Sequence, residues 1–263
     1  MHLTFYKYQG TGNDFVIIDN RNQVLKNVST EWVKGICDRR FGVGADGLML
    51  LDNHAGYDFE MHYYNSDGNE SSMCGNGGRC IAAFAFSLGI TKNNGKFIAI
   101  DGEHEFNIIT TSNQLEVSLK MINVQDVEIG SDYYYLNTGS PHYVAFQNKI
   151  ATMDLVKQAR AIRFSDRFKE KGTNVNFVEF IENKIYVRTY ERGVEDETLS
   201  CGTGVTAAAL ASALMENKNN SSYEIITKGG LLNVFFKQLA NKDFEEVWLL
   251  GPAEFVFKGE IEI

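Results

Sequence analysis

The sequence predicts an α+β fold made of two pseudo-symmetric halves, each a strand-rich, barrel-like sheet around a central helix. Two observations support this prediction. Most segments with regular apolar spacing have the period of two that is typical of strands, and few have helical spacing. A Cys-Gly-x-Gly motif that opens an Ala-rich run occurs twice, at Cys74 and at Cys201. We therefore expect the active site to lie in the cleft between the halves, where the two helices begin.

The two motifs lie 127 residues apart, and other stretches match at the same offset. Thr11-Gly12-Asn13 falls on Thr138-Gly139-Ser140, and Gly47 falls on Asn174. Glycine is common, at 24 of 263 residues, so a few matches arise at any offset. Three separate stretches at one offset nevertheless indicate an internal duplication.

The predicted halves are 1–122 and 123–253, and the polar segment 123–131 is the natural junction. A helix is predicted over 30–39, because Ser29 or Thr30 can cap it and its first turn is acidic. A second helix is predicted over 76–88, because a glycine follows it as a natural C-terminal cap. Apolar alternation predicts the strands of the first half over 3–8, 15–19, 47–51, 57–64, 97–100, 104–110 and 115–120.

The second half repeats this order of elements. A helix is predicted to follow Asp154, and another is predicted over 204–216. The Ala-rich runs of both halves are apolar nearly all round, which is typical of buried helices, so each is expected at the centre of its half with the Cys at its exposed mouth. Strands of the second half are predicted over 133–136, 142–146, 174–180, 184–190, 223–227, 231–237, 246–250 and 254–261.

The composition is that of a soluble globular protein, with 44% apolar and 22% charged residues. A formal net charge of −9 and the lack of basic runs argue against a nucleic-acid partner and against an anionic membrane, because both need clustered Lys and Arg. The N-terminus lacks the apolar core of a signal peptide, and no apolar stretch is long enough to span a bilayer. We therefore expect a cytoplasmic protein.

The four cysteines are expected to be thiols, because disulfides are rare in a reducing compartment. Their spacing includes no CxxC pair and no histidine at a zinc-finger interval, which argues against a structural metal and a redox pair. Cys37 and Cys80 lie on apolar helical faces and are expected in the core. Cys74 and Cys201 differ from them, because glycines on their C-terminal side let a ligand approach the backbone.

The placement of Cys74 and Cys201 has a chemical consequence. The first N–H groups of a helix lack intrahelical partners and carry the positive end of the helix dipole. Such groups lower the pKa of a thiol and bind a carboxylate. Two cysteines in matched settings therefore indicate a pair of reactive thiols beside a carboxylate.

Two stretches match the glycine-rich dinucleotide pattern, GxGxxG at 42–47 and GxGxxA at 202–207. That pattern works only with a buried strand before it and a helix after it. The first stretch follows a charged helical tail and leads into a strand, and the second follows a long polar loop. Nucleotide binding is therefore disfavoured.

A polar strand end precedes each helix-opening Cys. Asn65 in the first half falls in register with Glu191 and Arg192 in the second, while Asn13 and Asn174 lie at corresponding loop or strand ends. Such a lining suits a zwitterionic ligand. Arg192 would bind a carboxylate and Glu191 an ammonium.

Eight stretches carry a resemblance to a known family, namely Gly12-Asn13-Asp14-Phe15-Val16, Gly42-Val43-Gly44-Ala45-Asp46, Tyr64-Asn65-Ser66-Asp67-Gly68, Cys74-Gly75-Asn76-Gly77-Gly78-Arg79-Cys80, Ser140-Pro141-His142, Asn174-Val175, Tyr190-Glu191-Arg192-Gly193 and Cys201-Gly202-Thr203-Gly204. In these stretches the sequence resembles the diaminopimelate epimerase family along essentially its whole length. The resemblance implies a cofactor-independent isomerase that interconverts LL- and meso-diaminopimelate, on the way to lysine and, in many bacteria, peptidoglycan. It also implies a homodimer and a last strand, 254–263, that returns to the N-terminal half.

The resemblance also implies which residues form the site. Cys74 and Cys201 would be the catalytic pair, and His142 and Glu191 would sit near the thiols and tune their pKa values. Residues of both halves would bind substrate, namely Asn13, Asn65, Gly75, Asn76, Asn174, Glu191, Arg192, Gly202 and Thr203.

Some features of the site stay open at this point. Gly47 and Ser140 stand where Gln and Asn are commoner in the family, so side-chain contacts there are uncertain. The nearest rival function is another two-thiol isomerase such as a proline racemase, which shares the Cys-Gly-Thr-Gly element. A ligand-binding protein or a thiol redox enzyme is the rival from another class. The Glu191-Arg192 pair with Asn65 and Asn174 favours a substrate with two charged heads over these rivals.

Overall fold

Strands dominate the computed structural model, which describes residues 2–110, 114–182, 184–217 and 221–262. The chain divides into two units. Unit 1 is Met1–Leu119 with Gly251–Ile263, and unit 2 is Lys120–Leu250. Each unit is a sheet with a buried helix, as the sequence predicts.

The first part of the chain forms unit 1. Its elements follow the order β1 (His2–Gly10), β2 (Asn13–Asp19), α1 (Thr30–Cys37), β3 (Gly47–Asp52), β4 (Phe59–Asn65), α2 (Gly75–Ser87), β5 (Asn94–Ala99), β6 (Gly102–Thr110) and β7 (Leu115–Lys120).

The elements of unit 2 follow in nearly the same order. They are β8 (Glu128–Ile129), β9 (Tyr134–Asn137), β10 (Pro141–Phe146), a short 3-10 helix (Ile150–Thr152), α3 (Leu155–Arg163), β11 (Asn174–Ile181), β12 (Lys184–Glu191), β13 (Asp196–Thr198), α4 (Gly202–Glu216), β14 (Ser222–Thr227), β15 (Gly230–Gln238) and β16 (Phe244–Pro252). The last strand, β17 (Glu254–Glu262), pairs with β1.

The strand pairing of unit 2 repeats that of unit 1. In unit 1, β1–β2 is antiparallel, β2–β3 parallel, β3–β4 antiparallel, β4–β5 parallel and β5–β6–β7 antiparallel. In unit 2 the same series runs through β9, β10, β11, β12, β14, β15 and β16. Among the described residues of unit 1, no pairing joins β7 back to β17, so the sheet is open rather than a closed barrel.

The register confirms the internal duplication at single-residue resolution. Phe15 pairs with Gly47, and His142 pairs with Asn174, so both partners are displaced by the 127-residue offset. Gly12 and Gly139, also 127 residues apart, both adopt positive φ, at 85° and 113°. Glycine tolerates this conformation because it has no Cβ.

The helices begin where the sequence predicts, within two residues. Ser29 caps α1 by accepting a hydrogen bond from the Trp32 N–H at 3.2 Å. Gly89 follows α2 with φ of 69°, the left-handed geometry of a C-terminal cap. Buried residues extend from the start of α2 and α4 through most of each helix, as expected for helices that are apolar all round.

Three short elements differ from the predictions. The predicted junction 123–131 contains the strand β8, and the polar loop before the second Cys contains β13. The 3-10 helix after β10 is also absent from the predictions. Two or three residues are too few to show a period, so the sequence carries no signal for them. No helix within the described ranges is long and apolar enough to cross a bilayer.

Candidate active site

Cys74 is the N-cap residue of α2. Its backbone is extended, and its side chain does not cap the helix. The first backbone N–H groups of α2, beginning at Gly75, are therefore not capped by the Cys74 side chain. They form a positively polarised start of the helix beside the sulfur. Cys74 is half-buried, in agreement with its predicted place at the mouth of the unit.

Asn13 and Asn76, which the family resemblance names as substrate-binding residues, lie near Cys74. The Cys74 thiol donates to Asn13 Oδ1 at 3.6 Å, and Asn76 Nδ2 donates to the same oxygen at 3.3 Å. Asn13 Nδ2 donates to Asp46 Oδ2 at 2.6 Å. Because a carboxylate can only accept, Asp46 fixes the amide so that its oxygen faces the sulfur.

Asp46 belongs to a charged cluster that the sequence analysis did not identify. Arg39 Nη2 donates to Asp46 Oδ1 and to Asp14 Oδ1, each at 2.7 Å. Lys7, which is buried, contacts the other oxygen of Asp14 at 2.7 Å. Burial alone would raise the pKa of Asp14, but hydrogen bonds from Arg39 and Lys7 outweigh it and lower the pKa to about 2.

Arg79 is a fully buried cation one turn into α2. Its hydrogen-bond acceptors among the described residues are the carbonyl groups of Gly75 and Pro252, the hydroxyl of Thr11 and the amide oxygen of Asn76. Burial lowers the pKa of Arg79, while the thiols at 80 and 74 act in the opposite direction. A positive charge with only neutral acceptors favours an anion nearby. The sequence signal for this buried cation was a charged residue at the start of an Ala-rich helical run.

Asn65 and Gly47 form a pair at the ends of β4 and β3. The backbone of Asn65 is tied into the turn that follows, because its N–H donates to Asn69 O at 3.0 Å and its carbonyl accepts from Gly68 N at 2.8 Å. No hydrogen bond in the described ranges joins the Asn65 side chain to Cys74. Tyr63 covers Gly47, where an added Cβ would lie 2.6 Å from the ring.

Cys201 is the N-cap residue of α4, in the position that Cys74 holds at α2. Its backbone is also extended, and its side chain also makes no capping bond, so the N–H groups that start at Gly202 have no side-chain cap from Cys201. Cys201 is only 6% exposed, so the predicted exposed mouth is wrong for this half. Its sulfur lies 3.4 Å from Thr203 Oγ1.

His142 lies behind Thr203 and is completely buried. Its Nε2 is 2.9 Å from Thr203 Oγ1 and 3.0 Å from Ser140 Oγ. Burial, and then the charge of Arg192, lowers the pKa of His142 to about 3. The imidazole is therefore neutral above that pH, and Thr203 Oγ1 lies between it and the thiol of Cys201.

Asn174 joins this cluster from β11. Its Nδ2 donates to Ser140 Oγ at 3.0 Å, and its Oδ1 accepts from the backbone N–H of Arg192 at 2.8 Å. Arg192 is exposed, and its Nη1 donates to the Lys171 carbonyl at 2.8 Å. Ser140, left open by the sequence, is thus part of the polar cluster around the thiol.

Glu191 is the last residue of β12, and its backbone pairs with Asp196. The sequence analysis missed Asn176, which contacts His142 Nδ1 at 3.0 Å. The alternation Asn-Val-Asn in β11 could have predicted that Asn176 lies near Asn174, because residues two apart share one face of a strand. Cys80 and Cys37 are buried as predicted, and burial raises the pKa values of these thiols to about 12 and about 11.

The described residues offer no obvious metal site, because no three His, Cys, Asp or Glu side chains in those ranges are grouped to hold an ion. The glycine-rich stretch 42–47 lies between α1 and β3, which is the reverse of the strand-to-helix order of a dinucleotide site. What each unit presents is one cysteine at the start of a buried helix with polar side chains around it.

Comparison with known proteins identifies the family to which this sequence is similar. The sequence matches the diaminopimelate epimerase family over residues 5–130 and 134–256. A diaminopimelate epimerase from Flavobacterium psychrophilum is 51% identical over 260 residues, covering 98% of this chain and 100% of the relative. One from Aquifex aeolicus is 39% identical over 278 residues, covering 98% of each.

Solved structures share the fold. A PhzF-family phenazine biosynthesis protein from Bacillus anthracis aligns with a TM-score of 0.79 over 100% of both chains, at 14% identity. A probable proline racemase from Agrobacterium radiobacter K84 aligns with a TM-score of 0.71 over 99% of this chain and 93% of its own, also at 14% identity. At such identity the likeness concerns the fold alone. The family match and the sequence relatives together show that this chain belongs to the diaminopimelate epimerase family of isomerases.

Proposed function

We propose that this chain is a diaminopimelate epimerase that interconverts LL- and meso-diaminopimelate with two thiols and no organic cofactor. The observation that carries the proposal is the matched pair of cysteines. Each is the N-cap of a buried helix in one of two repeated units, and each has a polar side chain within hydrogen-bonding distance of its sulfur.

In the proposed mechanism the two sulfurs flank one α-carbon of the substrate. One thiolate removes the α-proton from one face, and the other thiol delivers a proton to the opposite face, so the configuration inverts. The roles exchange with the handedness of the substrate. The helix-start N–H groups at Gly75 and Gly202 bind the α-carboxylate and stabilise the charge that moves into it in the transition state.

Substrate binding is assigned to the remaining polar groups. Arg192 would bind the distal carboxylate and Glu191 an ammonium group, and Asn65 and Asn174 would complete the polar lining. A simple amino acid such as proline needs only the groups at the thiols. The surplus groups therefore favour a substrate with two amino-acid heads over the proline racemase alternative.

The biosynthetic role follows from the substrate. meso-Diaminopimelate is the isomer from which lysine is made, so we place the enzyme in lysine biosynthesis and in the cytoplasm. Whether the product also serves peptidoglycan depends on the organism.

Incubation of the purified chain with LL-diaminopimelate, without pyridoxal phosphate, tests the proposal. We expect the meso isomer to accumulate, as measured by chiral chromatography. In heavy water the inverted carbon should acquire solvent deuterium, because the acid that delivers the proton is not the base that removed the first one. Transfer of the substrate's own hydrogen in a single turnover would contradict the two-base mechanism.

Cys74→Ala and Cys201→Ala are the matched variants for this experiment. Each should lose nearly all turnover, since inversion needs a group on both faces. Cys80→Ala is the control, because Cys80 lies in the core of the same helix as Cys74 and takes no part in the proposed chemistry. Near-normal turnover by either Cys74→Ala or Cys201→Ala would overturn the proposed roles.

We also propose that the enzyme is a homodimer. Phe255, Val256 and Phe257 are consecutive in β17 and are 54%, 52% and 43% exposed. Such a run of large apolar side chains favours a protein contact, and a second copy of the chain would cover it. Phe255 contacts the ring of Tyr8, and Phe257 contacts the ring of Phe5. These two side chains therefore already contribute to packing within unit 1.

Val256→Lys tests the dimer, because no ring contact depends on this side chain. We expect sedimentation equilibrium to give a dimer for the unaltered protein and a monomer for the variant. Ile100→Lys is the control, since Ile100 is 66% exposed in a different part of unit 1. A Val256→Lys dimer of unchanged affinity would show that β17 is not the contact.

A further inference from the structure

Asn176 is a buried side chain for which the proposed mechanism has no role. It is completely inaccessible in β11 and lies beneath the start of α4, where an added Cβ on Gly204 would come within 2.5 Å of Asn176 Oδ1. Its Oδ1 accepts from Thr189 Oγ1 at 2.9 Å, and its Nδ2 lies 3.1 Å from the Tyr143 carbonyl. A carbonyl can only accept, so Tyr143 fixes which end of the amide is nitrogen.

This orientation determines the protonation of His142. The second N–H of Asn176 Nδ2 points at His142 Nδ1, 3.0 Å away. Nδ1 must therefore be the acceptor, and in a neutral imidazole the single proton is then on Nε2. At 3.0 Å this contact is shorter than that of the donor Asn174 Nδ2 with Nε2, at 3.4 Å, so Asn176 favours the Nε2–H tautomer of His142.

The proton on Nε2 determines the direction of the bonds that follow. Nε2–H donates to Thr203 Oγ1 at 2.9 Å. Ser140 Oγ, which accepts from Asn174, is 3.2 Å from the same oxygen and can donate to it. With its oxygen accepting these bonds, the Thr203 hydroxyl is left to donate its own proton to Cys201 Sγ, 3.4 Å away.

We propose that Asn176 is a positioning residue for Cys201, which acts by holding His142 in the Nε2–H tautomer and so directing the Thr203 hydroxyl onto the sulfur. A hydroxyl that donates to sulfur stabilises the thiolate relative to the thiol. Asn176 donates to His142, His142 donates to Thr203, and Thr203 donates to Cys201. This inference deepens the two-thiol mechanism proposed above, on which its catalytic meaning rests.

Two charged residues lie near the cluster. Glu191 and Arg192 stand at the end of β12, and Arg192 disfavours a charged His142. The imidazole stays neutral, so His142 acts on the thiol by orientation and not by charge. The thiol of Cys74 lies beside the Asn13 amide instead of a hydroxyl, which provides an internal comparison.

The first measurement is the tautomer itself. In protein labelled with 15N-histidine, the His142 resonances at pH 7 should show an unprotonated Nδ1 and a protonated Nε2. Asn176→Leu keeps the volume but removes the donor, and it should abolish this single tautomer. Thr189→Val is the matched control, because it removes only the bond to Asn176 Oδ1 and leaves the donor side intact. An Nδ1-protonated His142 in the unaltered protein would overturn the proposal.

The second measurement is the thiol. In a Cys74→Ala background, the pH dependence of iodoacetamide alkylation reports the pKa of Cys201. Asn176→Leu should raise this pKa by about one unit, which slows alkylation at pH 7 about tenfold. The same substitution in a Cys201→Ala background should leave Cys74 alkylation unchanged, which separates positioning from general loss of structure. A lost tautomer with an unchanged Cys201 pKa would contradict the proposal.

Thr203→Val and Thr203→Ser provide a second pair should Asn176→Leu fail to fold. The valine variant lacks the hydroxyl and should raise the pKa of Cys201 as Asn176→Leu does, whereas the serine variant should retain the normal value. Equal pKa values in the two variants would overturn the proposal. None of these measurements involves substrate, so they stand or fall separately from the assignment of diaminopimelate.

Discussion

Cys74 and Cys201 occupy equivalent positions in α2 and α4 but have different hydrogen-bonding neighbours. The neighbour of Cys74 is an amide oxygen of Asn13, which accepts from the thiol. The neighbour of Cys201 is the Thr203 hydroxyl. Arg79, fully buried near Cys74, has the neutral Thr206 at the corresponding position 127 residues later. The surroundings of the two cysteines are therefore chemically different although the fold of the two units is repeated.

Arg192 gives a prediction about substrate choice. Removing a charge-assisted contact to a carboxylate costs about 2 to 5 kcal/mol, so Arg192→Met should lower kcat/KM for diaminopimelate roughly 30-fold or more. Arg167→Met is the control, because Arg167 pairs with Glu128 on the surface of the same unit. Steady-state kinetics with LL-diaminopimelate make the measurement.

Proline and lysine, which lack the distal carboxylate, should be very poor substrates of the unaltered protein. Turnover of proline comparable to that of diaminopimelate would favour the proline racemase alternative.

At the scale of single residues, the sequence and its family resemblance named the two cysteines, His142 and several polar residues near them, but not every residue that orients those side chains. Asn13, Asn76 and Thr203, named as substrate-binding residues, lie near the cysteines. Asp46 and Asn176 were missed, because an acid or amide that orients another side chain has no motif of its own. Such residues are recognised only when the fold brings distant parts of the chain together.

Gly77 and Gly204 provide a prediction at the scale of the helix. They are equivalent positions in α2 and α4, but their surroundings differ. A Cβ on Gly204 would meet Asn176 Oδ1 at 2.5 Å and His142 Cε1 at 3.3 Å. Gly204→Ala should therefore force the start of α4 away from β11, destabilise the protein by about 1–3 kcal/mol and reduce turnover. Urea unfolding and a rate assay measure the two effects.

Gly77→Ala is the matched comparison. The nearest atoms to its Cβ would be Met49 Sδ at 3.4 Å and Phe15 Cζ at 3.5 Å, which are ordinary contacts. Alanine is favoured over glycine inside a helix by about 0.8–1 kcal/mol, so this variant should be as stable as the unaltered protein or slightly more so. Equal destabilisation by the two substitutions would contradict the packing described at α4.

Elements with strong local signals were predicted well. The Ser29 cap, the glycine after α2 and the apolar character of both central helices fixed the helices to within two residues. The short strands β8 and β13 were missed, since they exist only because neighbouring strands pair with them. Strands that depend on pairing between distant parts of the chain cannot be predicted from the local sequence pattern.

The whole molecule is two copies of one topology, and its stability in acid should depend on unit 1. Asp14 is 18% exposed and has a pKa of about 2. A depressed pKa stabilises the fold above the unfolded value near 4, and this stability, on the order of 2 kcal/mol, is lost as the pH falls from about 4 to about 2. Asp14→Asn should remove this stabilisation at neutral pH. In thermal-unfolding measurements it should flatten the acid limb of the curve of Tm against pH.

Glu128 is the control for this prediction. Arg167 and Tyr133 hold the pKa of Glu128 at about 2 as well, but the carboxylate is 43% exposed and lies in solvent. Solvent screening makes such surface pairs weak, so Glu128→Gln should change the acid limb little. If the two substitutions had equal effects, burial of Asp14 would not explain its contribution.

Arg39 also has a consequence for Asn13. It bonds Asp14 and Asp46 at the same time, and Asp46 in turn holds the Asn13 amide. Rotating that amide would break contacts on which the stability of unit 1 depends. The orientation of the oxygen beside Cys74 is therefore set when the chain folds, and the site is preorganised, so binding a substrate involves little reorganisation free energy at this position.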